Sequence, residues 1–213
     1  MFKAALFDLD GTIIDTEPQY TQFWQAIGNV YRPELPDFHR LIKGTTLDNI
    51  LNTYFPEQQV RKKVVKLLDE WEENMEYPYI KGAVDFIRQL KEKGVICAIV
   101  TSSNIPKMNA LRKKKKDFDD MFDFVLTAED FQRSKPDPQC YLLASEKCGA
   151  KLNECVVFED AINGLKAAVN AGIFTVALLT TNDENTVKGL SDYIAKDFTT
   201  LNYYLINQLL NQQ

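Results

Sequence analysis

The chain has 213 residues, of which 45% are hydrophobic, 11% aromatic and 26% charged, with a formal net charge of −5. These are globular proportions, neither disordered nor collagen-like, and the length suits one domain carrying a smaller insertion. The acidic balance offers no electrostatic basis for gripping a nucleic-acid backbone or an anionic membrane, so no nucleic acid and no membrane is expected as a partner.

The longest apolar run, Val95 to Val100, falls far short of the ~20 residues that span a bilayer. No secretory signal pattern opens the chain, and a cytoplasmic protein is expected. Cys97, Cys140, Cys148 and Cys155 form no C-x-x-C pair and read as buried, reduced thiols. There is a single histidine, His39, so triad hydrolysis or a multi-histidine zinc site would have to be built on that one imidazole. Its polar, Pro-flanked surroundings place it at the surface or on a helix. Chemistry must come mainly from carboxylates, lysines and hydroxyls.

In chain order, Ala4 to Phe7 is a short apolar run bounded by Asp and Gly, as expected of a buried strand. From Thr16 to about Tyr79 apolar residues fall at helical spacing only. Phe23, Ile27 and Val30 form one stripe, and Leu47, Ile50, Leu51 and Tyr54 a second. Val60, Val64, Leu67, Leu68, Trp71 and Met75 form a third, with Pro33, Pro36, Pro56 and Pro78 at the breaks. An all-helical module over 16–80 is therefore expected between core segments 1–15 and 81–213, hinged near Asp15-Thr16 and Tyr77 to Lys81.

Further on, Ala83, Phe86, Ile87 and Leu90 predict a helix stopped by Gly94, and Val95 to Val100 a strand. A helix from Ile105 ends in Lys113 to Lys116, which reads as a solvated end favoured by the helix dipole. Strands at Phe122 to Leu126, Cys155 to Phe158 and Ile173 to Leu179 alternate with helices at Tyr141 to Ala150 and Leu165 to Ala171. The alternation predicts an α/β fold: a Rossmann-like, doubly wound parallel sheet with an inserted helical bundle.

In such a sheet the ligand crevice lies at the carboxyl ends of the strands. The first strand ends in Asp8-Leu9-Asp10-Gly11-Thr12, two carboxylates two positions apart, although Asp-Gly is also ordinary turn chemistry. Thr101-Ser102-Ser103 follows the second strand with hydroxyls and backbone N–H groups suited to anionic oxygens. Ser134-Lys135-Pro136-Asp137-Pro138 supplies a lysine fixed beside two prolines, ahead of a helix. Glu159-Asp160-Ala161 supplies two adjacent acids, with Gly164, Ala167, Ala168 and Gly172 beyond. Each segment alone has an ordinary explanation in caps or turns. All four in order do not.

On these residues the sequence resembles the haloacid dehalogenase superfamily over essentially its whole length, in the subfamily with a helical cap inserted after the first motif. The Met1-Phe2-Lys3-Ala4 opening and the segment from Glu159 to Gly172 make it most similar to the group of β-phosphoglucomutases and small sugar-phosphate phosphatases. The resemblance implies Asp8 as nucleophile, forming an aspartyl-phosphate. It implies Mg²⁺ held by Asp8, the main-chain carbonyl of Asp10, and Asp160 with Glu159 nearby. Lys135 would neutralise the phosphoryl oxygens, with the Thr101 hydroxyl and Ser102 N–H bonded to the transferring group. Asp10 would be the general acid and then base. Dehalogenases generally lack that second Asp, so phosphoryl chemistry is favoured.

Substrate contacts are expected from Thr16, Glu17 and Tyr20, from Lys43, Thr45 and Thr46, and from Asn104, with His39 a further candidate. In the mutases a histidine stands where Tyr20 is and an arginine where Leu47 is. Leucine cannot offer the bidentate fork that holds a distal phosphate, and Lys43 replaces only part of that charge. The sequence thus points to a monomeric, Mg²⁺-dependent phosphatase acting on a small, hydroxyl-rich phosphorylated metabolite such as a sugar phosphate. A β-phosphoglucomutase-type mutase is the alternative. A non-catalytic binding protein would be expected to have lost the nucleophile, the lysine or the metal acids.

Overall fold

A computed structural model describes residues 2–43 and 45–212. Its centre is set by β1 (Ala4–Phe7), four apolar residues with no exposed surface. On one side β1 pairs with β2 (Ile96–Val100) in the register Ala4 to Ile96, and on the other with β4 (Cys155–Glu159) in the register Ala4 to Cys155. With β3 (Phe124–Leu126), β5 (Phe174–Leu178) and β6 (Tyr193–Ala195), the sheet runs β3-β2-β1-β4-β5-β6, and every pairing is parallel. The strand order reverses at β1, so the ends of β1, β2 and β4 open onto a shared crevice.

Both faces are covered, which is why these strands read as continuous apolar runs. On one face Phe7 stacks on Phe158 at 4.8 Å and Phe86 meets Phe158 edge-on at 5.3 Å, beneath α5 (Ala83–Glu92). On the other, α7 (Gln139–Cys148) and α8 (Ile162–Asn170) bury Tyr141, Ala144, Ala167 and Ala168 against Ala4, Leu6 and Val157. Gly149, in the left-handed region at φ 61°, ends α7. The last strand, β6, and the helix α10 (Tyr203–Leu210) were not expected. Three residues carry no readable period, but Asn202, whose Oδ1 accepts from Leu205 N at 2.9 Å, is an N-cap the sequence does display.

Between β1 and β2 lie α1 (Glu17–Tyr31), α2 (Phe38–Leu41), α3 (Leu47–Tyr54) and α4 (Gln58–Asn74). They bury their own apolar cluster, including Phe23, Trp24, Ile27, Ile50, Val64 and Leu68. Val30 and Leu67, expected on the buried stripes, face solvent at 69% and 42% exposure. Their places are taken by Phe38 and Phe55, which lie beside the proline-rich connections where no helical period can form. The two chain crossings pair with each other: Asp15 N donates to Pro78 O at 2.8 Å and Ile80 N to Ile13 O at 2.9 Å.

The lysine run at the end of α6 (Ile105–Lys114) is more than a solvated helix end. Lys113 pairs with Glu73 at 3.8 Å, and Lys114 Nζ donates to the carbonyl of Met75 just past α4. All four cysteines are free thiols. Cys97, Cys140 and Cys155 are buried as expected, but Cys148 is only half-buried because it closes the last turn of α7. Among the described residues no helix is long and apolar enough to cross a membrane.

Candidate active site

Asp8, the first residue past β1, is fixed by its N–H to the Phe158 carbonyl at 3.0 Å. Lys135 Nζ reaches it from the turn before α7, at 2.6 Å from Asp8 Oδ1, 2.8 Å from Glu159 Oε1 and 3.1 Å from the Val100 carbonyl. Lys135 is 1% exposed. Burial alone would lower its pKa, but the carboxylates of Asp8 and Glu159 outweigh it and hold the ammonium well above its ordinary range.

Glu159 is saturated with donors. Oε1 also accepts from Tyr141 OH at 3.2 Å, and Oε2 accepts from the N–H groups of Asp160 and Ala161, both at 2.9 Å. Gly164 on α8 packs so closely on this carboxylate that a Cβ there would overlap it. Gly164→Ala is therefore expected to displace Glu159 and cost about 1–3 kcal/mol, visible as a lowered melting temperature. An unchanged melting temperature would show that Glu159 is not held against α8.

Asp160 completes a cluster. Its Oδ1 accepts from Thr12 Oγ1 at 2.8 Å, while Oδ2 is buried with no hydrogen-bond partner. Asp8, Glu159 and Asp160 can each offer one oxygen within 4.8 Å of the others. Burial, then the neighbouring Glu159 and Asp8, pushes the Asp160 carboxyl well above the usual range. Burial likewise raises Asp8 to about 7 in spite of Lys135. Three buried acids beside one lysine, with one oxygen unpartnered, suit a hard divalent cation with oxygen ligands. Gly11, at φ 79°, lies where any side chain would run into Asp160.

The carboxylate of Asp10 lies outside this cluster and is engaged elsewhere. Oδ2 accepts from Ser103 Oγ at 2.8 Å and from Lys107 Nζ, and Oδ1 accepts from Thr16 Oγ1. Burial opposes its charge, but Lys107 and these bonds overcome it and hold the carboxyl below the ordinary carboxylate range.

The sequence did not single out Lys107 or Glu72, and Ser103, named in the hydroxyl segment after the second strand, is a partner of Asp10. Lys107 is 3% exposed in the first turn of α6, with Nζ over the Tyr20 ring at 4.4 Å, and Tyr20 OH donates to Glu72 Oε1 on α4 at 2.7 Å. One signal was available: a lysine in a first helical turn opposes the macrodipole, so it implies a carboxylate nearby. Glu72, beside Glu70 and Glu73, reads as part of a solvated face. Burial raises its carboxyl to about 7 despite the attraction of Lys107 and the bond from Tyr20. A raised acid gives stability that is complete below about pH 4.5 and lost as pH rises through 7. Glu72→Gln is accordingly expected to raise stability at pH 8 by on the order of 1–3 kcal/mol, read as a higher melting temperature, and to leave the melting temperature unchanged at pH 4.5. Equal effects at both pH values would refute the raised acid.

Asp8, Asp10, Thr101, Ser102 and Asn104 face α1–α4 across a cavity of about 130 Å³. Glu17, Tyr20, Lys43 and Thr45 line it from the helical side, and so does His39 on α2, half-buried with an unpartnered Nδ1. Lys43 is paired with Glu17 at 2.5 Å, and its carbonyl accepts from Asn163 Nδ2 at 3.0 Å, tying the helical insert to α8. Thr16 and Thr46 do not line the cavity. Thr16 spends its hydroxyl on Asp10, and Thr46 caps α3 by accepting from Asn49 N at 3.3 Å. Asn104 both lines the cavity and caps α6, accepting from Lys107 N at 3.0 Å.

The family model described as haloacid dehalogenase-like hydrolase matches residues 5–178, and the chain belongs to that family. It is 30% identical over 187 residues to a phosphorylated carbohydrates phosphatase of Thermotoga maritima, covering 80% of this chain and 82% of the relative. Hexitol phosphatase A of Escherichia coli is 31% identical over 180 residues, covering 83% and 82%. Among solved structures, a putative β-phosphoglucomutase from Bacteroides vulgatus superposes with a TM-score of 0.81 at 25% identity, covering 99% of this chain and 89% of that one. The protein is thus a hydrolase on an α/β core shared with the β-phosphoglucomutase-like structures.

Proposed function

We propose that the protein is a Mg²⁺-dependent phosphatase that hydrolyses small phosphomonoesters of the sugar-phosphate kind through an aspartyl-phosphate on Asp8. The observation that carries this is Asp8 on the cavity floor, bonded by the buried Lys135 at 2.6 Å with the unpartnered oxygen of Asp160 in the same cluster. Residues 16–80 serve as the cap and exclude water over the crevice. The relatives named phosphorylated carbohydrates phosphatase and hexitol phosphatase support this substrate class. A small phosphorylated metabolite and four free thiols fit a cytoplasmic setting.

Asp8 attacks phosphorus in line, forming a P–O bond as the bond to the alcohol breaks. Asp10 protonates the departing oxygen, then removes a proton from the water that splits the aspartyl-phosphate, releasing phosphate and restoring Asp8. Asp10 must enter the first step carrying the proton it gives to the departing oxygen. The charged form that remains, held by Lys107, Ser103 and Thr16, is the one needed for the second step, where the water returns a proton to it. Lys135 keeps Asp8 oriented and offsets phosphoryl charge, and Thr101 with Ser102 N–H positions the transferring group. Asp8, Asp160 and the main-chain carbonyl of Asp10 would hold Mg²⁺, braced by Glu159, and the ion would supply charge neutralisation at the phosphoryl oxygens.

Hydrolysis is favoured over mutation of a phosphosugar because a mutase must grip a second phosphate. Both lysines that line the cavity are already paired, Lys43 with Glu17 and Lys107 with Asp10, and Leu47 offers no charge. The test is to supply β-glucose 1-phosphate and a trace of glucose 1,6-bisphosphate with Mg²⁺, and p-nitrophenyl phosphate in parallel. Phosphate release is expected from p-nitrophenyl phosphate, with no accumulation of glucose 6-phosphate in the first mixture. Glucose 6-phosphate forming faster than phosphate would overturn the hydrolytic reading.

A further inference from the structure

The phosphoryl chemistry uses only the floor of the cavity. The opposite half is walled by Trp24 from α1, Ile42 after α2, Leu47 and Ile50 from α3, and Leu68 from α4. Four of these, Trp24, Ile42, Ile50 and Leu68, are between 4% and 7% exposed, so little of their apolar surface reaches bulk water. Beside Thr21 and His39, the polar side chains on the helical side are committed to partners within the protein: Tyr20 OH donates to Glu72, Thr45 Oγ1 to the Ile42 carbonyl at 2.6 Å, and Glu17 pairs with Lys43. Positive charge is committed, with Lys43 bonded to Glu17 and Lys107 to Asp10. A polyhydroxylated ring in this half would leave hydroxyls without partners, and each one stripped of water costs free energy. An anionic substituent would face Glu17 and Glu72 with no free cation among the described residues lining the cavity.

Building on the proposed phosphatase reading, we propose that the alcohol released by the enzyme is an uncharged ring with one apolar face, lying against Trp24, Leu47 and Ile50. Its few hydroxyls are confined to the edge that meets Glu72 and His39. The substrate class is then an amphipathic, ring-bearing phosphomonoester, such as a deoxygenated sugar or cyclitol phosphate. A fully hydroxylated sugar phosphate, a sugar-acid phosphate and a bisphosphate are disfavoured within the sugar-phosphate class. The polar residues of 15–20 and 43–47 suggested a hydroxyl-rich substrate because the apolar wall is assembled from four separate segments that no local motif joins.

A matched pair of esters tests this. Cyclohexylmethyl phosphate and glucose 6-phosphate both present a primary phosphate ester on a six-membered ring, and they differ in the ring hydroxyls and ring oxygen. The Mg²⁺-loaded enzyme is expected to favour cyclohexylmethyl phosphate by about tenfold or more in kcat/KM, mostly through a lower KM. Leu47→Asn, at a half-buried position on the cavity wall, is expected to shrink that ratio by at least about threefold. Equal use of the two esters, or a preference for glucose 6-phosphate, with p-nitrophenyl phosphate still hydrolysed in an Asp8-dependent manner, overturns this inference alone. No Asp8-dependent phosphate release from any of the three overturns the phosphatase reading and this inference with it.

Discussion

Asp8→Asn is expected to lower phosphate release by roughly 10⁴-fold or more, since an amide cannot form the acyl-phosphate and the remaining contacts retain only binding and electrostatic catalysis. The fold should survive. Lys135 keeps its bonds to Glu159 at 2.8 Å and to the Val100 carbonyl at 3.1 Å, so the buried ammonium is not orphaned. In the metal-free protein the asparagine removes a charge that burial disfavours: Asp8 is raised to about 7, so its ionisation withdraws stability as pH rises from about 4 through 7. The metal-free wild type should therefore lose more melting temperature between pH 5 and pH 8 than Asp8→Asn does. Turnover by a contaminant-free Asp8→Asn preparation at wild-type rate would remove Asp8 from the nucleophile's role.

Strands β1 to β5 and the residues at their carboxyl ends were legible because a buried parallel strand is written as a local apolar run, and its end fixes the next side chain in the crevice. Asp8, Thr101, Lys135 and Asp160 each stand next to such a run or the helix that follows it, and the structure brings Asp8, Lys135, Glu159 and Asp160 into direct contact or one cluster. What was not legible depends on contacts between distant segments. Lys107 and Glu72 acquire their meaning only when α4 and α6 come together over Asp10 and Tyr20. Phe38 and Phe55 are buried by packing across short or proline-broken segments, where a helical period cannot be read. Thr16 and Thr46 were read as substrate contacts because a hydroxyl beside a helix start serves equally well as a ligand, a cap or a bond to a neighbouring carboxylate. Only the structure shows that Thr16 holds Asp10 and Thr46 caps α3.

Lys135→Met separates the structural and catalytic work of the lysine. The substitution roughly preserves the apolar stem, but leaves Asp8 and Glu159 buried without a counter-charge, a change that typically costs about 3–5 kcal/mol. For a chain of this size each kcal/mol corresponds to roughly 2–4 °C, so the metal-free variant at pH 8 should melt on the order of 10 °C lower. The loss should shrink as pH falls, because without the ammonium the Asp8 carboxyl, already raised by burial, protonates more readily and the repulsion that destabilises the fold disappears. Millimolar Mg²⁺ should recover part of the loss at pH 8 by supplying positive charge to the same acids. Activity should behave differently. The ammonium is also needed to orient Asp8 and to offset charge on the phosphoryl oxygens, so turnover should remain down by about 10²–10³-fold even where the fold is restored. Full recovery of turnover with Mg²⁺ would mean that Lys135 only balances charge. An unaltered melting temperature without Mg²⁺ at pH 8 would mean that Asp8 and Glu159 do not depend on it.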